Sequence, residues 1–523
     1  MQQKIKTLIG HVISSSLEIE IESPKNERYG DYATNIAIII SKLNNKPPLD
    51  TANEIASRLR DIDKGKMFAS IEATPQGFIN FRVNRTALED NLIEILKKNE
   101  KYGRSNIGNQ KKVLLEFVSA NPTGPLHIGH GRWAVIGDCL ADILKAVGYN
   151  VEKEYYVNDV GEQIEKLAAS VQARMEGKDL PEGGYAGSYI TDLAGTLKGK
   201  KHIKEEAMKH LLAQQKDTLK KLGVNYDKWF HESDLHKNDL VKKCIKRLEE
   251  KGLTFYEGRA LWFKSSEFGD DKNRVLIKED GQPTYFAADI AYHINKYDRG
   301  YDKIINVWGT DHHGYMARLR AAITALGYPI EKLEIIIGQL VALYRGGELV
   351  RMSKRTGEMI TLEEVINEID APATRYFLVR NSPNTHLDFD LELAKSRSLE
   401  NPVYYVSYAH ARICNILKEA KKEGLAPASA GLNLLGTEPE RKLMLKLLRY
   451  EDEVASSAIS MHPHRLTGYA ESLAQTFHNY YHQCRVISDN KELSRARLTL
   501  VKATSIVLKN VLKLLGITAP DHM

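Results

Sequence analysis

Apolar residues recur with different rhythms along this chain, and the changes of rhythm mark its parts. Within 51–62 and 86–98 they return every three or four residues, as on one face of a helix. Gly77 to Val83 alternates instead, as a half-buried strand does. Lys101 to Lys112 is polar and contains glycine, a plausible linker. Val113 to Val118 is then short and almost wholly apolar, the pattern of a strand covered on both faces. Trp133, Ile136, Leu140, Ile143, Leu144 and Val147 predict a helix that ends near Gly148. Further buried strands are expected at Val151–Val157 and Lys303–Trp308. From about 165 to 265 the pattern is helical and then hairpin-like, and it reads as an insertion between two halves of a parallel sheet. Thr361 and Glu364 have capping-box spacing, so a helix should begin there. Beyond Arg380 the chain reads as helices to its end, with a break near 424–437. The expected fold class is α/β, a parallel-sheet domain preceded by an α+β unit and followed by a helical bundle.

Composition narrows the picture a little. A chain of 523 residues is too long for one core and suggests about three domains. A net charge of +6 permits a polyanionic partner without demanding one. Cys139, Cys244, Cys414 and Cys484 show no zinc-ligand spacing, so no bound zinc is expected, and sparse cysteines suit a reducing compartment. The N-terminus does not read as a signal peptide, and no apolar run reaches membrane-spanning length. No membrane association and a cytoplasmic location are the expectations.

The densest chemistry follows the first buried strand. Residues 119–132 read Ser-Ala-Asn-Pro-Thr-Gly-Pro-Leu-His-Ile-Gly-His-Gly-Arg. Glycine lets backbone approach a ligand closely, and helix N-terminal amides favour phosphate. His127 and His130 could donate to phosphate oxygens whose charge changes in a transition state. Neither is expected to bind metal. The stretch resembles the HIGH signature of class I aminoacyl-tRNA synthetases. Downstream, Val350 to Gly357 resembles the KMSKS loop of the same enzymes, with Arg351 in place of the first lysine. The resemblance makes Lys354 the working lysine and places Gly129, Arg351, Met352 and Ser353 at ATP. Lys303–Trp308 ends in Gly309-Thr310-Asp311-His312-His313-Gly314. The C-terminal end of a parallel sheet is where ligands bind, so Gly309 and Asp311 are candidates for ribose or substrate, with ordinary loop structure the alternative.

Two acids sit where acids are costly. Glu116 interrupts the apolar strand 113–118, and Asp289 lies on the apolar stretch 283–289 with Tyr285 four residues before it. Each is either half of a structural ion pair or a carboxylate that meets a cationic substrate; a guanidinium can be held bidentately in a way that rejects lysine. The run Asn401 to Arg412, the preceding His386 to Asp390 and the tail Gly516 to Pro520 are similar to arginyl-tRNA synthetases, and the similarity covers nearly the whole chain. It implies a Rossmann-like catalytic domain over 111–378 with an insertion at about 165–265, an N-terminal additional domain over 1–105 and a helical anticodon-binding domain over 380–523. It implies arginine, ATP with Mg2+ and an arginine tRNA as substrates. It makes Glu116, Asn121, Tyr285 and Asp289 the arginine pocket. Tyr404, Tyr408, Arg412, Arg485, Arg495 and Arg497 become candidates for anticodon contact, although aromatic stripes such as Phe477, Tyr480 and Tyr481 are more often core. Phe78, Asn80 and Phe81 become candidates at the outer corner of tRNA. The segment 158–163 would lie near the catalytic cleft. A monomer is expected. The other readings are a silent tRNA-binding relative, which would be expected to lose His127, His130 or Lys354, and a class I nucleotidyltransferase of other specificity, which needs no helical tail.

Overall fold

The centre of the computed structural model, which describes residues 1–13, 17–24, 26–310, 314–350 and 360–523, is a five-stranded, all-parallel sheet. Its spatial order is Leu333–Gly338, Lys303–Gly309, Lys112–Phe117, Asn150–Val157, Lys228–His231. The first strand in sequence is therefore central, and the chain winds outward from it in both directions. Such a reversal of strand order opens a crevice at the C-terminal strand ends. Val113, Leu114, Leu115 and Phe117 are fully buried because helices cover both faces of the sheet. Ile128–Ala146 covers one face. Its small Gly137 lets it approach the Phe117 ring. The chain then turns at Gly148, φ +92°.

Tyr285–Asp298 lies under the sheet and carries a polar stripe at Tyr292, His293 and Lys296. Glu116 stands in register with Glu154 on one neighbouring strand and Asn306 on the other. This row meets the stripe: Lys296 Nζ donates to Asn306 Oδ1 at 2.8 Å and pairs with Glu116, while the Tyr292 hydroxyl donates to Glu154 at 2.7 Å. Arg299, just beyond the helix, reaches Glu154 at 2.7 Å. Buried charges persist here because each has a partner.

The stretch 165–265 is not one continuous insertion. The helices Glu162–Met175, Ser188–Thr196 and Ile203–Lys221 form a small cluster with its own core. Lys228–His231 then returns to the parallel sheet before an antiparallel trio, Thr254–Glu257, Ala260–Phe263 and Arg274–Ile277, is added. The stretch beyond Arg380 also departs from expectation. Leu387–Asp390 is a strand, paired in parallel with Val341–Arg345, and helices follow it to the end. The last of them, Lys491–Leu514, packs on Pro402–Lys422 and His464–Gln483. Buried Arg375 joins this bundle to the sheet domain. It donates to the carbonyls of Leu515 (3.0 Å) and Leu222 (3.1 Å) and to Asp138 (2.7 Å).

Candidate active site

The chain leaves the central strand through two consecutive non-glycine residues with left-handed backbone, Val118 at φ +70° and Ser119 at φ +44°. That conformation is strained, and for a β-branched valine especially so. It turns the Ser119 hydroxyl back to donate to Glu116 at 2.7 Å and to accept from the Tyr156 amide at 3.1 Å. The following loop is held by the helical cluster. Gln215 donates to the carbonyls of Asn121 and Gly124, and the Tyr189 hydroxyl donates to the Thr123 carbonyl. Asn121 donates its side-chain amide to Gln163 at 2.6 Å, which places segment 158–163 beside this loop.

His127 and His130 close the start of the next helix as a reciprocal capping box. His127 Nδ1 accepts from the amides of Gly129 (3.1 Å) and His130 (3.4 Å), and His130 Nδ1 accepts from the His127 amide (3.2 Å). The rings stack with centroids 3.6 Å apart. A nitrogen that accepts carries no proton, so each neutral imidazole bears its N–H on Nε2. Capping thus fixes a tautomer suited to donation to an anion. Trp133 stands edge-on to His130 at 5.5 Å. Its ring fills the space over Gly309 and Gly338, where a Cβ would meet it. Gly309 is therefore packed against the same helix as the histidines.

The segment Arg351 to Met359 is outside the described residues, as are Asp311, His312 and His313, so the candidates Arg351, Met352, Ser353, Lys354 and Asp311 have no placement here. The two ends that bracket the former are described. Val350 donates to the Leu343 carbonyl at 2.8 Å, and Thr361 bridges to His127 while Leu362 donates to the Leu126 carbonyl at 2.8 Å. The chain therefore re-enters the described structure directly beside the histidine turn, where Thr361 and Glu364 cap the next helix as expected. Arg132, fully buried, donates to the carbonyls of Gln339 (2.8 Å) and Ser382 (2.9 Å), tying the same turn to the strand that leads toward Val350. Burial among carbonyls lowers its guanidinium to about 10.

Four acids converge around the crevice with different electrostatics. Burial pushes the Glu116 carboxyl up, but Lys296, His293 and the Ser119 hydroxyl outweigh it and hold it below the ordinary value. Each of its oxygens has a partner, Ser119 on one and Lys296 on the other, which is the arrangement of the ion-pair alternative. Asp289 is half-buried and accepts from the Tyr315 hydroxyl. Burial, with Glu116 adding, raises it to about 6 against the opposing effects of Tyr315 and Lys296. Glu232 begins immediately after the edge strand and is 3% exposed. Burial raises it to about 7, opposed by Tyr156 and reinforced by Asp289 and Asp159. Asp159 is held by His231 Nδ1 at 2.9 Å and by the Ser233 amide and hydroxyl. The Tyr156 hydroxyl, buried beside Glu232, has no hydrogen bond of good geometry among the described residues. Tyr285 is 51% exposed on the same helix as Asp289, with its hydroxyl over Gly161.

In the helical bundle, Tyr404 and Tyr408 stack at 6.2 Å, and the Arg412 guanidinium lies 4.8 Å from the Tyr408 ring and 5.1 Å from Tyr481. His478 stacks on Tyr408 at 5.9 Å. Phe477 and Tyr480 are fully buried, while Arg485 and Arg495 are exposed. Arg497 is engaged by Glu440 at 2.8 Å. In the N-terminal part Asn80 and Phe78 are half-buried, but Phe81 is in the core against Phe68, so Phe81 is withdrawn as a surface candidate.

Sequence reasoning missed Glu232, Tyr156 and Tyr315, and also Arg132 and His478. Glu232 closes the short apolar strand Trp229-Phe230-His231, a signal hidden by reading the region as an insertion. The polar stripe was legible in the spacing of Asp289, Tyr292, His293 and Lys296 on one helix face.

Comparison with known proteins is consistent along the whole chain. Residues 1–83 match the family described as arginyl tRNA synthetase N terminal domain, 91–208 and 182–396 the class I (R) tRNA synthetase catalytic domain, and 406–523 the DALR anticodon binding domain. The chain is 45% identical to an arginine–tRNA ligase of Moorella thermoacetica, covering 96% of this chain and 93% of that one. It is likewise 45% identical to one of Bacillus subtilis, covering 97% and 94%. It superposes on the arginyl-tRNA synthetase of Thermus thermophilus with a TM-score of 0.81 at 26% identity, each chain fully covered. With a doubly wound sheet, a histidine-capped turn at its crevice and a helical bundle behind it, the chain belongs to the arginyl-tRNA synthetase family of class I aminoacyl-tRNA synthetases.

Proposed function

We propose that this arginine–tRNA ligase holds the guanidinium of its substrate between Asp289 and Glu232, with Tyr156 and Tyr315 lining the contact. The carrying observation is that these two carboxyls, Glu232 buried and Asp289 half-buried, sit at the crevice, both raised toward neutrality, with Asp289 adding to the shift of Glu232. A fixed cation between them supplies the compensation that burial withholds. Glu116 would act one step back. Its pair with Lys296 anchors the helix that carries Asp289, and its bond to Ser119 shapes the loop bearing Asn121. Asn121 would then meet the α-amino end of arginine, and the Tyr285 ring would flank the side chain.

The reaction follows from this placement. The arginine carboxylate attacks the α-phosphate of ATP, pyrophosphate leaves, and the activated acyl group passes to the terminal ribose of the tRNA. His127 and His130 would donate Nε2–H to phosphate oxygens as charge develops, and Lys354 would stabilise the departing pyrophosphate. Gly129 would give the nucleotide close backbone approach, Gly309 would border it with Trp133 packed on its open side, Asp311 would meet the ribose, and Arg351, Met352 and Ser353 would form the phosphate loop. Mg2+ would accompany ATP. Tyr404, Tyr408 and Arg412 form an aromatic and cationic platform suited to splayed anticodon bases, with Arg485 and Arg495 as outlying phosphate contacts and Asn80 at the outer corner of the tRNA. No helix of the described residues is long and apolar enough to cross a membrane. A monomer in the cytoplasm completes the proposal, the location supported by four free cysteines.

The test is Glu232→Gln and Asp289→Asn in tRNA-supported pyrophosphate exchange. Each should weaken arginine binding by about 2–5 kcal/mol, as for truncation of one partner of a buried charged contact. An unchanged Michaelis constant for arginine in both variants would refute the pocket.

A further inference from the structure

A second concentration of charge lies away from the catalytic crevice, where the N-terminal part meets the helical bundle. A cavity of about 680 Å³ has Arg28 and Arg82 on one wall and Arg441, Lys442, Lys446 and Arg449 on the other. Two carboxylates, Asp31 and Glu438, share the lining, so cations dominate it. Asp31 is already committed: it accepts from Arg441 at 2.6 Å and from the Val83 amide at 2.8 Å. Lys446 makes no ion pair among the described residues and stands over the Tyr469 ring at 4.9 Å. Burial, with Arg449 adding and Glu453 opposing, lowers its ammonium to about 8. The Nε of Arg449 and the hydroxyl of Tyr480 are both buried without a hydrogen-bond partner among the described residues. The volume lies in the range of small-ligand pockets, roughly 300–1,000 Å³. Clustered guanidinium and ammonium groups, two orphaned donors and an ammonium that makes no ion pair among the described residues all call for the same chemistry. That chemistry is an anion with several oxygens and several charges.

We propose that this cavity binds closely spaced phosphates, with Lys446 and Arg449 as the inner contacts and Arg28 as the outer one. Two sources carry such phosphates, the backbone of bound tRNA and a free polyphosphate such as a nucleoside triphosphate. The cavity is independent of the arginine pocket, so either assignment can fail without the other.

The test uses the full-length protein with Lys446→Met, which removes charge without breaking an ion pair, and Arg28→Gln on the facing wall. Dissociation constants are measured for inorganic tripolyphosphate by calorimetry and for arginine tRNA by filter binding, both across a salt series. Melting temperature and the Michaelis constant for arginine are followed as controls and should stay at wild-type values. Weakening of tripolyphosphate binding by about tenfold in each variant, with tRNA affinity unchanged, identifies a free polyphosphate as the ligand. Weakening of tRNA binding, with the salt slope reduced by about one per contact removed, identifies the RNA backbone. Folded variants that bind both probes as the wild type does would overturn the proposal.

Discussion

Replacing Glu116 by glutamine separates a structural acid from a substrate-binding one. The Lys296 side chain is fully buried, and its counter-charge is Glu116, itself 6% exposed at the side chain. Glutamine keeps the shape and an acceptor oxygen, so the Lys296 and Ser119 contacts can survive as neutral hydrogen bonds. What is lost is the counter-charge of a buried ammonium, and breaking one side of a buried pair typically costs about 3–5 kcal/mol. The retained acceptor argues for the lower end, about 3 kcal/mol. Lys296→Met combined with Glu116→Met removes both charges and should recover most of that loss, since apolar replacement of a whole buried pair is often neutral. The assay is urea unfolding followed by far-ultraviolet circular dichroism, beside the Michaelis constant for arginine in pyrophosphate exchange. The expected result is a clearly destabilised Gln variant whose arginine constant moves less than about threefold, far below the effect of losing a direct charged contact. Wild-type stability with a loss of arginine binding of thirtyfold or more would refute the structural role and return the guanidinium to Glu116.

The pH dependence follows from the two raised carboxyls. Asp289 and Glu232 must be ionised to hold a cation, so the Michaelis constant for arginine should rise as pH falls through about 7 and 6, and level off above about 8. The same shifts mean that the folded state holds more protons than the unfolded one between about pH 4 and 7. The contribution of these two carboxyls to free-enzyme stability, read as the difference in melting temperature between the wild type and a Glu232→Gln, Asp289→Asn variant, should therefore fall as pH rises through that window, while buried neutral His293 and His478, lowered to about 3 and about 4, act with the opposite sign in both proteins. Gly309→Ala would place a Cβ 2.6 Å from the Trp133 ring, so turnover should fall at least tenfold as the tryptophan shifts against His130; wild-type turnover would show the packing to be irrelevant. Lys354→Ala should lower turnover in exchange by about 100- to 1,000-fold with little change in the arginine constant, the pattern of a donor used in the transition state.

The sheet was legible because Val113–Val118 and, after its first residue, Lys303–Trp308 are apolar but for one polar position within each, Glu116 and Asn306, whereas Val151–Val157 carries Glu152, Lys153 and Glu154 and shows as a strand through Val151, Tyr155, Tyr156 and Val157. The cap at Thr361 was legible because its chemistry is local. Glu116 was visible as an anomaly, but its partner lies 180 residues away, and no spacing rule links a strand residue to a helix face at that separation. Glu232 was missed because an edge strand of four residues, Lys228–His231, carries too little pattern to stand out within a helical stretch. Leu387–Asp390 was missed for the same reason, although its alternation is real: Leu387 and Phe389 are buried and Asp388 is exposed. In the bundle, aromatic spacing favoured core over platform without separating one ring from the next. Packing buries Phe477 and Tyr480 and leaves Tyr481 beside Arg412.

The central claim is that this crevice selects arginine by its guanidinium charge. Pyrophosphate exchange by the wild-type protein, run with tRNA present on each of the twenty amino acids and on citrulline, tests it most directly. Arginine alone should support exchange, with lysine failing on geometry and neutral, nearly isosteric citrulline failing on charge. Exchange with citrulline at a rate comparable to arginine, or with any other amino acid in preference to it, would contradict the account.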